Sequence, residues 1–294
     1  MKLTGERPME GATPDSLLAL HDAGYREVVE RLGTGVVLDV GCGVGDETAR
    51  LDSPDRRVVG VDYSAQTARD AAAEWGPGAK RGTAVRFAAM DGARLGLHSG
   101  VVDWACSSHI IEHFTNPALH VAELARVLTP DGTAFVITPN APADFENPFH
   151  VYLFEPSHLR SLLSLFFTDV VVLGLEGDEA LHADFAARRA SGDRLLKLDV
   201  LRLRHRLPRG AYVWAYERLL PLVYRVLGKK HTGIGSGLDA SHLFLTEVID
   251  TTTPVLFAIA RGPRPHVGRQ NDAAPTDGNV TDLRPDDGSP TDGT

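Results

Sequence analysis

The residues that could do chemistry begin where an apolar run stops. "VVLDVGCGVG" ends in Asp39 and then places Gly41, Gly43 and Gly45 at alternate positions. Glycines at such a bend let the backbone approach a ligand closely and turn into a helix, whose first N–H groups can meet a negative group. Twenty-three positions after Asp39 a second run, "RVVGVD", ends in Asp62, where a carboxylate can accept hydrogen bonds from both hydroxyls of a ribose. A third run ends the same way, in Asp91 followed by Gly92. Together these residues predict a site for a ligand that carries a nucleoside.

The dinucleotide pattern G-x-G-x-x-G is the obvious competitor, and with it an NAD(P)-dependent oxidoreductase. Counting from Gly41 gives Gly43 and then Asp46, where the last glycine or alanine should stand. Asp46 would set a negative charge beside the helix N-terminus that a pyrophosphate needs. A ligand without phosphates fits better.

A second constellation follows the fourth and fifth apolar runs. Ligands bind at the carboxyl ends of parallel strands, which gathers Ser107, Ser108, His109, Glu112, His113, Asn140, His150 and Tyr152 around one mouth. His150 is the favoured general base, because its loop can face an acceptor and histidine titrates near neutral pH. Glu112 and His113 are candidates for a structural or substrate-shaping role, with base catalysis the alternative. "HIIEH" also spells the H-x-x-E-H zinc-peptidase motif, which requires a long helix. The preceding strand and Pro117 argue against one. His109, Glu112 and His113 could instead hold a divalent ion, and two histidines would suit zinc, iron or manganese better than magnesium. The sequence by itself assigns no metal.

The elements that position these residues alternate. Short runs rich in Val, Ile and Phe ("VVLDV", "RVVGVD", "AVRFAAM", "VVDWACS", "TAFVIT", "DVVVLGL") are separated by helical stretches such as "SAQTARDAAAEW", "NPALHVAELARVL" and "EPSHLRSLLSLF". Such alternation predicts an α/β fold with a mostly parallel sheet. Ahead of it, Leu17, Leu20, Tyr25, Val28, Val29 and Leu32 recur at helical intervals, so residues 1–34 form an N-terminal helical segment. The core is expected over 35–176 and 251–262, the latter holding the late strand "PVLFAIARG". The interval 177–250 is too long for a turn and reads as an inserted helical subdomain, with helices over "LLKLDVLRLRHRL" and "AYVWAYERLLPLVYRVLG". Residues 263–294, dense in Pro, Gly, Asp and Thr, read as a disordered tail.

The motifs, in this order and spacing, resemble those of class I S-adenosylmethionine-dependent methyltransferases of the bacterial type 11/23 kind. The resemblance runs from about Val36 to Phe166 and rests on "VVLDVGCGVG", "VVGVDYS", "AAMDGARL", "VDWACSSHIIEHFTNP" and "ELARVLTPDGTAFVITPN". It implies a Rossmann-like sheet of seven strands, helices on both faces, a reversed last strand, and S-adenosylmethionine as cofactor. By the same resemblance Asp39 and the glycines line the methionine part, Asp62 with Tyr63 the ribose, Asp91 with Gly92 the adenine, and Ser107 the cofactor wall. "NPFHVYLFEPSHL" and "LTGER" resemble bacterial members that methylate sugars or glycans. The implied activity is O-methylation of a small molecule or saccharide. A non-catalytic S-adenosylmethionine-binding protein is a further alternative. "ARLGL" stands where the family often has Leu-Pro-Phe, and the insertion is longer than the family core requires.

Composition narrows the surroundings. The 294 residues, 43% hydrophobic and 23% charged, suffice for a full core. No apolar stretch approaches the ~20 residues of a membrane span, and Met1 opens no secretory signal pattern, so a cytoplasmic protein is expected. Cys42 and Cys106 form no spaced metal set and suit reduced thiols. The net charge of -9 is unevenly placed: between Arg188 and Lys230 twelve basic residues face three acidic ones, a local +9. With Tyr212, Trp214, Tyr216 and Tyr224, residues 188–231 could rest on a membrane surface or cradle a lipid-linked acceptor. Nucleic acid is disfavoured, since no recognition module accompanies the charge and "SSHIIEH" replaces the Asn-Pro-Pro-Tyr type motif of base-modifying enzymes.

Overall fold

The computed structural model describes residues 13–144, 149–196 and 235–265, apart from the side chains of 191–196. Eight strands form one sheet: β1 Gly35–Val40, β2 Arg56–Asp62, β3 Arg86–Ala89, β4 Val102–Ser108, β5 Leu128–Pro139, β6 Phe167–Gly177, β7 Leu243–Thr246 and β8 Val255–Pro263. Their order is β3-β2-β1-β4-β5-β8-β6-β7. From β3 to β5 every pairing is parallel, whereas β8 lies antiparallel to both β5 and β6. The expected parallel sheet and reversed late strand are both present.

The register follows from alternation along each strand. On β5, Ala134 and Val136 join one apolar cluster while Phe135 and Ile137 join the other; on β8, Leu256, Ala258 and Ala260 alternate in the same way with Val255, Phe257 and Ile259. Successive side chains point to opposite faces, so a strand buried on both sides reads as continuously apolar. The second cluster is closed by α1 (Asp15–Val29) through Ala19, Leu20, Ala23, Tyr25 and Val28, and by Leu181 and Phe185 of α6 (Glu179–Leu196). The first is closed by Val121 and Leu124 of α4 (Pro117–Val127) and by Leu159 and Leu163 of α5 (Pro156–Ser164). The remaining helices are α2 (Asp46–Ala49), one turn after the glycines, and α3 (Ala65–Trp75), capped by Ser64 Oγ accepting from Thr67 N.

Two expectations change. The sheet has eight strands rather than seven, because Leu243–Thr246 pairs antiparallel with β6 at the edge. Those four residues lie inside the interval read as a helical insertion and are too short to show strand alternation. That interval also begins with a helix that belongs to the core, since α6 buries Leu181 and Phe185. Within the basic stretch, Arg188 donates to Ser16 Oγ and Arg189 to the Ala143 carbonyl, so both hold α6 against the core. Of the two helices expected over 195–207 and 211–228, only 195–196 are described, as the end of α6, and the rest, like the tail beyond 265, lies outside the described residues. Cys42 and Cys106 are both free and buried.

Candidate active site

At the C-terminal ends of β1, β2 and β4 the sheet opens into a cleft of about 430 Å³, a size that suits a small-molecule ligand. Gly41, Gly43 and Gly45 all adopt left-handed backbone, with φ of 85°, 52° and 88°. Their surroundings differ. A Cβ on Gly41 would stand 2.2 Å from Ile110 Cγ2, and one on Gly45 would meet the Phe87 ring at 2.9 Å. A Cβ on Gly43 would meet nothing within 4 Å. Gly41 and Gly45 are therefore bare so that the turn can pack, and Gly43 is bare toward the cleft.

Of the residues singled out in the sequence, Gly41, Gly43, Asp62, Tyr63, Asp91, Gly92 and His113 line this cleft. Asp62 Oδ1 accepts from Ser64 N at 2.8 Å, and Asp91 Oδ1 from Ala93 N at 2.9 Å. Each carboxylate is thereby oriented by the backbone just past its strand.

Asp39, Gly45 and Ser107 stand behind the wall instead of on it. Asp39 is wholly buried; Tyr25 Oη donates to both its oxygens at 3.0 and 3.1 Å, and Thr48 Oγ1 to Oδ2 at 2.5 Å. Burial raises its pKa to about 6, against the hydrogen bonds from Thr48, Tyr25 and Cys106. Asp39 thus ties α1, β1 and α2 together beneath the glycine turn. Ser107 makes an equivalent tie. Its Oγ lies 2.8 Å from His120 Nε2, while His120 Nδ1 lies 2.8 Å from the Gly92 carbonyl. A carbonyl only accepts, so Nδ1 carries the proton and the serine hydroxyl donates to Nε2. Burial lowers the His120 pKa to about 4 and keeps the ring neutral. The Asp91–Gly92 turn is fixed to β4 by this bridge.

Other wall residues escape a motif-based reading because they come from α1 and from side chains beside the glycines. His21 and Tyr25 reach the cleft from α1, and Asp46 and Glu47 from the start of α2. The only signal for His21 and Tyr25 is their place on a helix that packs ahead of the sheet. Glu47 is raised to about 8, first by burial and then by Asp46 and Asp39. Half-exposed Arg50, with Nε 3.3 Å away, does not offset this. Four carboxyl groups and no Lys or Arg are found among the described lining residues.

The other constellation sits beside this cleft. Ile111–His113 is a single 3-10 turn, which removes the long helix a zinc peptidase would need. His109 enters that turn with a left-handed φ of 52°, the one non-glycine positive φ among the described residues. Its ring lies 4.2 Å from that of His21, and burial, then His109, lowers the His21 pKa well below the usual value. Glu112 is 1% exposed in its side chain, with Oε2 accepting from Thr138 Oγ1 at 3.0 Å. Burial pushes its pKa up, but His109, His113 and His150 more than compensate and hold it below the usual value. The backbone N–H groups of Val151 and Tyr152 donate to the Glu112 carbonyl, drawing the loop after β5 onto the 3-10 turn.

That docking places His150 beside His113, with ring centroids 5.3 Å apart. His150 Nδ1 lies 2.9 Å from Asp144 Oδ2, a partner the sequence reading missed, and His113 Nδ1 lies 3.0 Å from the Phe149 carbonyl. Of the candidate catalytic three, His113 is on the cleft wall, and Glu112 and His150 are not among its lining residues. Asn140 takes a structural part, donating to the Asp250 and Thr253 carbonyls. Tyr152 is 42% exposed, its ring 4.7 Å from Phe154.

A cleft at the switch point of an open α/β sheet, glycine-lined and acidic, defines a Rossmann-like ligand-binding domain. Residues 38–136 match the family model described as "Methyltransferase domain". The chain is 31% identical over 170 residues to a probable S-adenosylmethionine-dependent methyltransferase of Mycolicibacterium smegmatis, covering 55% of this chain and 63% of that one. A probable methyltransferase of Mycobacterium tuberculosis is 30% identical over 183 residues, covering 60% and 64%. The chain thus matches just under two thirds of each relative's length. Among solved structures, a possible histamine N-methyltransferase of Thermotoga maritima superposes with TM-score 0.52 at 15% identity, covering 83% of this chain and 90% of that one. The [4+2]-cyclase SpnF superposes with TM-score 0.51 at 19% identity, covering 82% and 81%. These two are alike in fold.

Proposed function

We propose that the protein transfers the methyl group of S-adenosylmethionine to an oxygen of a small molecule or saccharide. The observation that carries this reading is the charge of the cleft. Asp46, Asp62 and Asp91 meet there, beside a Glu47 carboxyl that burial keeps largely protonated near pH 7, with no Lys or Arg among the described lining residues; this suits a sulfonium bearing an ammonium and repels a pyrophosphate. The open face of Gly43 admits the ligand's backbone-hugging part, and Asp62 accepts from ribose hydroxyls.

When bound, S-adenosylmethionine supplies a methyl already activated on sulfur. The protein's share is then alignment, worth up to about 7–11 kcal/mol, and exclusion of water. An acceptor hydroxyl must also lose its proton. In the metal-free protein His150 does this, because Asp144 accepts from Nδ1–H and leaves the lone pair on Nε2. A lipid-linked acceptor presented by residues 188–231 is the membrane-side version of the same reading.

Calorimetry tests the cofactor. S-Adenosylhomocysteine should bind with one site per chain and NADH should give no heat; NADH binding with no heat from the thioether would overturn the proposal. A panel of sugars and phenols then tests the acceptor, with the methyl ether detected by mass. Methylation confined to nitrogen or carbon acceptors would reject the oxygen assignment.

A further inference from the structure

We propose that Glu112, His113 and His150 bind a divalent transition-metal ion beside the methyl-donor cleft, and that this ion holds an acceptor through two neighbouring oxygens. The inference rests on the methyltransferase reading for its consequence and on geometry for the site. One ligand-capable atom from each of the three residues lies within 4.8 Å of those of the other two. Tetrahedral donors at about 2.0–2.2 Å from an ion stand about 3.3–3.6 Å apart, so small rotations of the three side chains would close the cluster on one ion.

The partners behind the ligands are those a metal site requires. A metal-binding imidazole donates its second N–H to a carboxylate or carbonyl, which fixes the ring and the lone pair. Both rings do so here: His150 to Asp144 Oδ2 at 2.9 Å, and His113 to the Phe149 carbonyl at 3.0 Å. Both tautomers therefore leave the lone pair on Nε2.

Glu112 gives the independent observation. Its side chain is 1% exposed, Thr138 satisfies Oε2, and Oε1 accepts no hydrogen bond. His109 Nδ1 lies 3.7 Å from Oε1, beyond hydrogen-bonding distance. A buried carboxylate oxygen without a donor is costly, and a cation is the partner that would complete it. Two imidazoles and one carboxylate suit zinc, iron(II) or manganese(II) and leave positions open for substrate oxygens.

His113 also lines the donor cleft, so a ligand on the ion would face the methyl group. A vicinal diol or catechol bound through two oxygens would release one hydroxyl proton to solvent on coordination, since a bound cation stabilises the oxyanion. The O–C bond then forms as the S–C bond breaks, giving the methyl ether and neutral S-adenosylhomocysteine. In the loaded protein the His150 lone pair is a ligand, and metal coordination replaces its role as base.

The full chain, stripped with chelator, is titrated with zinc by calorimetry and with cobalt(II) by visible absorption, without donor or acceptor. One ion per chain is expected, with the intense bands of a low-coordinate cobalt site. His150→Ala and Glu112→Gln should each weaken binding at least tenfold, while His182→Ala, distant from the cluster, should not. Circular dichroism and S-adenosylhomocysteine binding verify that the variants fold. No saturable binding at micromolar metal, or binding indifferent to His150→Ala and Glu112→Gln, overturns the site. Metal binding without oxygen methylation would reject the proposed function and leave the site standing, and the converse result would do the opposite.

Discussion

The two halves of the cleft are built differently. On the proposed donor side, the groups sit at the ends of neighbouring strands: a glycine turn after β1, Asp62 at the end of β2, Asp91 just past β3, the two carboxylates each oriented by a backbone N–H two residues on. On the acceptor side, Glu112, His113 and His150 come from two separate loops, and their alignment depends on Asp144, Thr138 and the Glu112 carbonyl. Local construction tolerates change elsewhere, whereas assembly across loops concentrates function in a few side chains. Losses on the donor side should therefore appear as binding, and losses on the acceptor side as turnover.

The largest expected effect sharpens that division. In the metal-free protein His150→Ala should lower kcat by about 100- to 10,000-fold, the usual worth of a positioned acid–base group, with S-adenosylhomocysteine affinity unchanged. Asp62→Ala should do the reverse, weakening the thioether by about 10- to 100-fold, as expected for losing charge-assisted hydrogen bonds worth about 1.5–3 kcal/mol. Single-turnover kinetics and calorimetry on the two variants check this. A His150→Ala variant with wild-type kcat would break the comparison.

A smaller effect separates the glycines. Gly41→Ala drives a methyl into Ile110 Cγ2 at a φ of 85°, so overpacking of about 1–3 kcal/mol adds to a left-handed penalty of about 1–2 kcal/mol. Gly43→Ala carries only the second cost, because its Cβ would point into open space. Thermal melts should rank Gly41→Ala well below Gly43→Ala, although both should weaken donor binding. Equal melting temperatures would refute the distinction between packing and cradling.

This contrast also explains what was legible in the sequence. The parallel sheet and the glycine turn are legible because β ends and glycine turns impose their own spacing, whereas the reversed strand is legible only through the family resemblance. Even there, Asp39 and Ser107 resemble wall residues in sequence while their side chains turn inward to Tyr25, Thr48 and His120. Strand position fixes where a residue stands, and which face it takes depends on partners from distant elements. The edge strand β7 was hidden for another reason, since four residues carry too little alternation to declare themselves. Asp144 was hidden because nothing local marks it; the loop docking that brings His150 onto the 3-10 turn creates its role. His150 is legible from its residue type and its loop.

The smallest expected effect tests the charge of the donor half. Glu47 keeps its proton to about pH 8, so near pH 7 the empty cleft holds a largely neutral carboxyl. A cationic ligand favours the charged form and lowers that pKa, and the two equilibria are linked. Binding should therefore release a fraction of a proton at pH 7, and affinity should rise as pH rises toward 8, then level off once Glu47 is ionised without ligand. Each unit of depression corresponds to about a tenfold gain. The sulfonium carries a charge that the thioether lacks, so S-adenosylmethionine should gain more than S-adenosylhomocysteine over the same interval. Calorimetry in buffers of different ionisation enthalpy measures the proton directly. Glu47→Gln should abolish both the release and the difference between the two ligands. If the variant leaves them intact, the acidic wall does not read the donor's charge through this residue.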